Sequence, residues 1–241
     1  MAAEQREARA FSTARPFLLF AVFAAVAVTA IASFTVIVAG GEFPGMAFDL
    51  ALAVGAFTAS QLARIRVRTG GVVIVLAWGE VGVIAVLCLV PAPWAPIAIF
   101  AGAVLGHAYL LVGADAPRRA RVVVGMFAVS VAGVVATAVL AALVDPAVAV
   151  RVDVQRPATF LPLLLASAAY FLVASLLVSW WISGVLGLDL GTVWRRAARS
   201  KRPMLVGNVM VGLAVAVVIS VDVVWLVALV PVLWLLHLTY L

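Results

Sequence analysis

Four polar side chains stand inside otherwise apolar stretches of this 241-residue chain: Glu80, His107, Asn208 and His237. Each lies in a run long enough to be read as a membrane helix, where a charged or strongly polar group costs several kcal/mol unless it is partnered. If those runs are helices, Glu80 is eight residues into its run, ~12 Å from one face at 1.5 Å per residue. His107 lies ~9 Å, Asn208 ~8 Å and His237 ~6 Å from the same face. Glu80 and His107 fall on consecutive, antiparallel segments, so a carboxylate and an imidazole come within reach of each other. Such a pair has two uses. It can respond to protons or hold a ligand, because imidazole titrates near neutrality and a nearby carboxylate favours its charged form. It can equally be a buried polar contact that fixes helix register. Asn208 and His237 are expected to face the bundle interior, as interhelical hydrogen-bonding groups or as part of the same site. Asp49 and Asp222 fall at segment ends, where water satisfies them.

Other chemistry finds no residues to carry it. There is no GxSxG, HExxH or kinase signature, and no serine or cysteine nucleophile with a base beside it. Gly70-Gly71 lacks the following lysine of a phosphate-binding loop. Cys88, the sole cysteine, reads as a small buried hydrophobe. Two distant histidines without a carboxylate ladder do not make a metal site. An enzyme is not expected from this chain, and neither a metal nor another cofactor is called for.

The elements that must position these side chains follow from composition. Hydrophobic residues make up 67% of the chain and charged residues 11%, with mean hydropathy +1.27. A water-soluble fold has no means of covering so much apolar surface. A membrane helix needs ~17–25 largely apolar residues, and eight segments meet or approach that: 16–39, 46–63, 72–91, 97–113, 122–144, 159–187, 203–220 and 223–241. Residues 1–15 are a polar tail, and the apolar run 16–39 exceeds the ~7–15 residues of a signal-peptide core, so it reads as a first membrane helix. Turn and polar residues separate the segments, including Pro91-Ala92-Pro93-Trp94-Ala95-Pro96. Gly102 and Gly106 form a GxxxG, which permits close helix approach.

Charge then sets orientation. Arg6, Arg9 and Arg15, Arg64, Arg66 and Arg68, Arg118, Arg119 and Arg121, and Arg195, Arg196, Arg199, Lys201 and Arg202 all fall on one side of an eight-helix arrangement. Only Arg151 and Arg156 fall on the other. Basic loops face the cytoplasm, which places both termini there. The expected fold is therefore all-α: a polytopic bundle of about eight transmembrane helices forming one domain over 16–241. Abundant Arg, Ala, Val and Gly suit a GC-rich bacterial genome and hence a bacterial cytoplasmic membrane. The net charge of +6 is distributed in short clusters that suit anionic lipid headgroups rather than nucleic acid.

Several stretches resemble the N-terminal membrane regions of actinobacterial signalling proteins that carry cytoplasmic GGDEF/EAL or HD-GYP domains. They are Arg68-Thr69-Gly70-Gly71 leading to Ala77-Trp78-Gly79-Glu80-Val81, the Pro91–Pro96 break, the basic cluster before Gly207-Asn208, and Pro231-Val232-Leu233-Trp234-Leu235-Leu236-His237-Leu238-Thr239-Tyr240. The resemblance implies a sensory or regulatory membrane module that passes a bilayer or small-ligand signal to a cytoplasmic output domain or partner. No GGDEF, EAL or HD segment occurs up to Leu241, so such an output would lie outside this sequence or on another protein. A small transporter or channel-like protein, and a membrane scaffold subunit, remain alternatives. Anionic lipids, a membrane protein partner and a second copy of the chain are the partners to expect.

Overall fold

A computed structural model describes residues 46–69, 72–112, 115–144 and 156–222, together with Val152 and Val154. The expected spans 16–39 and 223–241, and with them His237, lie outside the described residues. The described elements run α1 (Ala47–Leu62), β1 (Arg64–Thr69), β2 (Val72–Ala77), α2 (Gly79–Leu89), α3 (Ala95–Leu111), α4 (Ala116–Leu143), α5 (Phe160–Leu186) and α6 (Leu190–Val221). Short 3-10 turns at Ala92–Trp94 and Pro157–Thr159 lead into α3 and α5. The architecture is overwhelmingly helical. Three stretches, Ala92–Leu111, Arg118–Leu143 and Pro157–Leu186, are long and apolar enough to cross a membrane, and Ala47–Leu62, Gly79–Leu89 and Leu205–Val221 are shorter apolar helices.

Local signals account for the helix ends. Asp115 caps α4, its carboxylate accepting from the Arg118 amide at 3.0 Å, with Pro117 in the first turn. Asp189 caps α6 in the same way, accepting from the Thr192 amide at 2.8 Å. Between α5 and α6, Gly187 takes φ +64°, and the Leu188 amide donates back to the Ser183 carbonyl at 3.1 Å. Only a residue without a Cβ adopts that left-handed position at little cost.

Two expected segments are redrawn. Residues 72–77, assigned above to the start of a membrane helix, form β2, paired antiparallel with β1 from Arg64↔Ala77 to Thr69↔Val72. The run Val72-Val73-Ile74-Val75 is β-branched throughout, which disfavours helix and suits a strand. Apolarity alone, the property read from the sequence, does not tell these apart. The connection expected at 188–202 is instead the first part of α6, which continues through Pro203 as one helix of 32 residues.

Direction and neighbourhood follow from specific contacts. Phe57 and Gln61 of α1 pack on Gly102 and Gly106 of α3 in the same chain direction, so α1 and α3 are parallel. A Cβ on Gly102 would come within 2.9 Å of Phe57, and one on Gly106 within 2.7 Å of Gln61, so the GxxxG does serve close approach. Gly82 of α2 meets Ser60 and Phe57 of α1, and Gly212 of α6 meets Ile84 and Val81 of α2. Helix α1 therefore stands between α2 and α3, while α2 has α1 on one side and α6 on another. All eleven residues of α2 are buried, as expected of a helix apolar all round and enclosed by its neighbours. Phe57, Ile84, Leu87, Ile99 and Leu163 form the centre of the core.

Candidate functional site

Starting α2 at Gly79 moves Glu80 from the expected depth to the second residue of the helix, in its first turn. The first amides of a helix lack intrahelical partners and carry the positive end of its dipole, so a carboxylate belongs there. The Glu80 backbone amide bonds its own carboxylate. Across the interface, the Asn208 Nδ2 donates to Glu80 Oε2 at 2.7 Å, with both residues buried. This bond joins α2 to α6 over 128 residues of sequence.

The Glu80 partner is therefore Asn208, not the His107 expected from antiparallel succession. His107 is buried on α3, where its Nδ1 lies 2.9 Å from the Ala103 carbonyl in its own helix and its Nε2 lies towards Gly125 of α4. The physical reason is the placement of α1. Helices adjacent in sequence, α2 and α3, meet little because α1 stands between them, so succession along the chain did not give the neighbour. Asn208 does face the interior as expected.

Around the Glu80–Asn208 bond stand groups the sequence reading passed over. Tyr170 of α5 lays its hydroxyl on Gly79, where a Cβ would come within 2.5 Å of it, and the phenol hydrogen-bonds Gln61 of α1. Trp78 immediately precedes α2, and its backbone amide donates to the Ser60 carbonyl at 3.1 Å. The Trp78 Nε1 and the Ser167 Oγ, one turn before Tyr170, are buried without a protein partner. Half-buried Lys201 interacts electrostatically with Glu80. It precedes the apolar stretch Leu205–Val221 of α6, and burial pulls its pKa below the usual lysine range while the Glu80 carboxylate opposes that. Lys201, the sole lysine of the chain, reads in the sequence only as part of a basic cluster; Tyr170 and Gln61 gave no signal that distinguishes them from ordinary polar residues of apolar helices.

The arrangement thus ties α1, α2, α5 and α6 together at one polar centre: a carboxylate, two carboxamides, a phenol and an ammonium. It can hold or pass a proton, hydrogen-bond a polar ligand, and resist relative sliding of α2 and α6. Among the described residues, no three His, Cys, Asp or Glu side chains come together as a metal site. No family model matches the chain, and no curated protein or solved structure matches it either.

Proposed function

We propose that this chain is a membrane-embedded sensory or regulatory module in a bacterial cytoplasmic membrane, with about eight crossings and both ends in the cytoplasm. The single observation that carries this reading is the 2.7 Å Glu80–Asn208 bond, because of the helix it acts on. Asn208 sits on α6, whose 32 residues run from an apolar half back through Lys201 to Arg199, Arg196 and Arg195. A change in packing at Glu80 is therefore applied to a helix that continues, without a break, into a basic segment at the end of the bundle. The fourteen-to-two partition of basic residues supports a cytoplasmic position for that segment. Enclosure by protein on all sides lets α2 be only 11 residues long, since its ends need not match the bilayer thickness. The contact is the two-position element, and the stimulus is whatever favours one position over the other.

To test this, a reporter output domain is fused after Leu241 and the wild type compared with Glu80→Gln and Asn208→Leu in cells. The expected outcome is altered output in both variants at unchanged membrane expression. Unaltered output, with solute flux through the reconstituted unfused chain that Glu80→Gln abolishes, would replace this reading with a transporter.

A further inference from the structure

Helices α5 and α6 are joined through Gly187, Leu188 and Asp189, a connection short enough to lay them antiparallel. Trp180 and Arg196 then stand level, each eight residues from Leu188. At this end of the hairpin α5 exposes Leu176, Trp180 and Leu186, and Leu188 and Leu190 are exposed at the turn. Beside them α6 exposes Arg195, Arg196 and Arg199. Asp189 is the only acidic residue from Phe160 to Arg202, and its carboxylate is taken by the amide and hydroxyl of Thr192. The polar centre uses none of these groups.

Helix α6 has two faces here. At 3.6 residues per turn, Trp194, Ala198, Lys201, Leu205 and Asn208 form one stripe, and all five are buried or half-buried. The three arginines lie ~120–220° round the helix from Lys201, on the exposed side. Arg195 and Arg199 are about one turn apart, ~6 Å, so one phosphate can meet more than one guanidinium. The Arg195 Nε donates to the Gly191 carbonyl at 3.1 Å, which uses one of that side chain's five donors.

The exposed leucines at the turn continue a surface that runs the length of α5, through Leu161, Leu165, Leu172, Leu176 and Trp180. The 27 residues of α5 span ~40 Å, against ~30 Å of hydrocarbon. A helix that overshoots the bilayer tilts, and tilt lays the hairpin end obliquely along the headgroup layer. Leu186, Leu188 and Leu190 then return to the acyl boundary, while Trp180 and the guanidinium groups lie among headgroups. A protein partner on the turn would instead require an upright hairpin with these leucines held out in water.

We propose that the end of the α5–α6 hairpin is an anionic-lipid site in the cytoplasmic headgroup layer, and that lipid held there is the stimulus read at Glu80. The second half rests on the sensory reading above. The route is a single element: the arginines and Asn208 occupy opposite faces of one 32-residue helix. Drawing the basic face towards phosphate shifts the opposite face against Glu80, where the bond from Asn208 is made.

The experiment uses the full chain in nanodiscs of phosphatidylcholine, with or without phosphatidylglycerol. Nitroxide labels are placed at Leu176→Cys or Leu186→Cys in a Cys88→Ala background. Both are expected to be relaxed by oxygen dissolved in lipid rather than by a water-soluble nickel chelate. The affinity for phosphatidylglycerol, from mass-spectrometric titration of the intact protein, should fall roughly fivefold per arginine removed in the Arg195→Gln, Arg196→Gln, Arg199→Gln series. Lysine at the same three positions should restore it. A Leu186 label relaxed by the chelate while the Leu176 label is not would set the turn in water, overturning the lipid site in favour of a cytoplasmic protein partner. Unchanged affinity in the triple glutamine variant would also overturn the lipid site, and either result leaves the sensory reading standing. Affinity lost as expected, with the fused reporter indifferent to phosphatidylglycerol in reconstituted wild type, would overturn the coupling to Glu80.

Discussion

At Glu80, position within the helix matters more than depth in the sequence. Counting from the start of an apolar run put this carboxylate ~12 Å from one face, whereas the helix begins only one residue before it. The carboxylate then has free amides, Asn208 and Lys201 to answer its charge, which an isolated position on a long helix would not supply. The residue type was legible: an acid amid valines marks a buried polar site whatever the fold. Its partner was not, because pairing depends on which helices touch, and no residue type encodes that. The distinction is measurable. In a double-mutant cycle of thermal stability in detergent, Glu80→Ala and Asn208→Ala should couple by about 1–3 kcal/mol. The cycle of Glu80→Ala with His107→Ala should give a smaller coupling. The reverse order would restore the sequence-based pairing. A second check sits beside it. Gly79→Ala should destabilise by about 1–3 kcal/mol through the clash with Tyr170, and Tyr170→Phe, which removes the nearest atom, should recover part of that loss in the same assay.

The elements divide by how local their signals are. Helices α3, α4 and α5 closely follow the apolar segments read at 97–113, 122–144 and 159–187, because length and apolarity suffice for them. The segment 72–91 splits into strand and helix, because six β-branched or aliphatic residues read as apolar in either form. The connection at 188–202 becomes helix because its Arg, Ala and Lys are good helix formers and Asp189 supplies a start. That start is a point of control for α6. Both the amide and the hydroxyl of Thr192 donate to the Asp189 carboxylate, at 2.8 and 3.0 Å, and these bonds hold its pKa below the usual carboxylate range. A depressed carboxyl pKa contributes stability above the unfolded value, ~3.9, and loses it as pH falls through the folded one. Asp189→Ala should therefore lower the melting temperature at pH 7, and the gap to wild type should narrow progressively below about pH 4. A gap independent of pH would assign the effect to something other than the carboxylate cap.

For the whole molecule, the sequence made the apolar, helical character legible, with three helices long and apolar enough to cross a membrane, while the order of helices around α2 became visible only in three dimensions. Contacts Phe57–Gly102, Gln61–Gly106 and Ile84–Gly212 show helices distant in sequence running parallel, a pattern that up-and-down succession does not anticipate. With the proposed orientation, cysteines introduced at Arg119 and Lys201 should be labelled only from the cytoplasmic side, and those at Ala92 and Val152 only from outside, in whole cells and inverted vesicles. Labelling of Arg119 from outside would reverse the topology.

In the proposed reading, the Glu80–Asn208 bond positions the basic half of α6 against the rest of the bundle. The direct measurement is the distance distribution between spin labels at Arg119→Cys on α4 and Arg196→Cys on α6, both exposed, in a Cys88→Ala background reconstituted in liposomes. Breaking the bond with Glu80→Gln or Asn208→Leu should shift the mean by about 1–2 Å or more, the scale of helix displacement in known switches, and by the same sense in both variants. Distributions identical to wild type in both would show that α6 is held elsewhere and that the bond does not act as the switch.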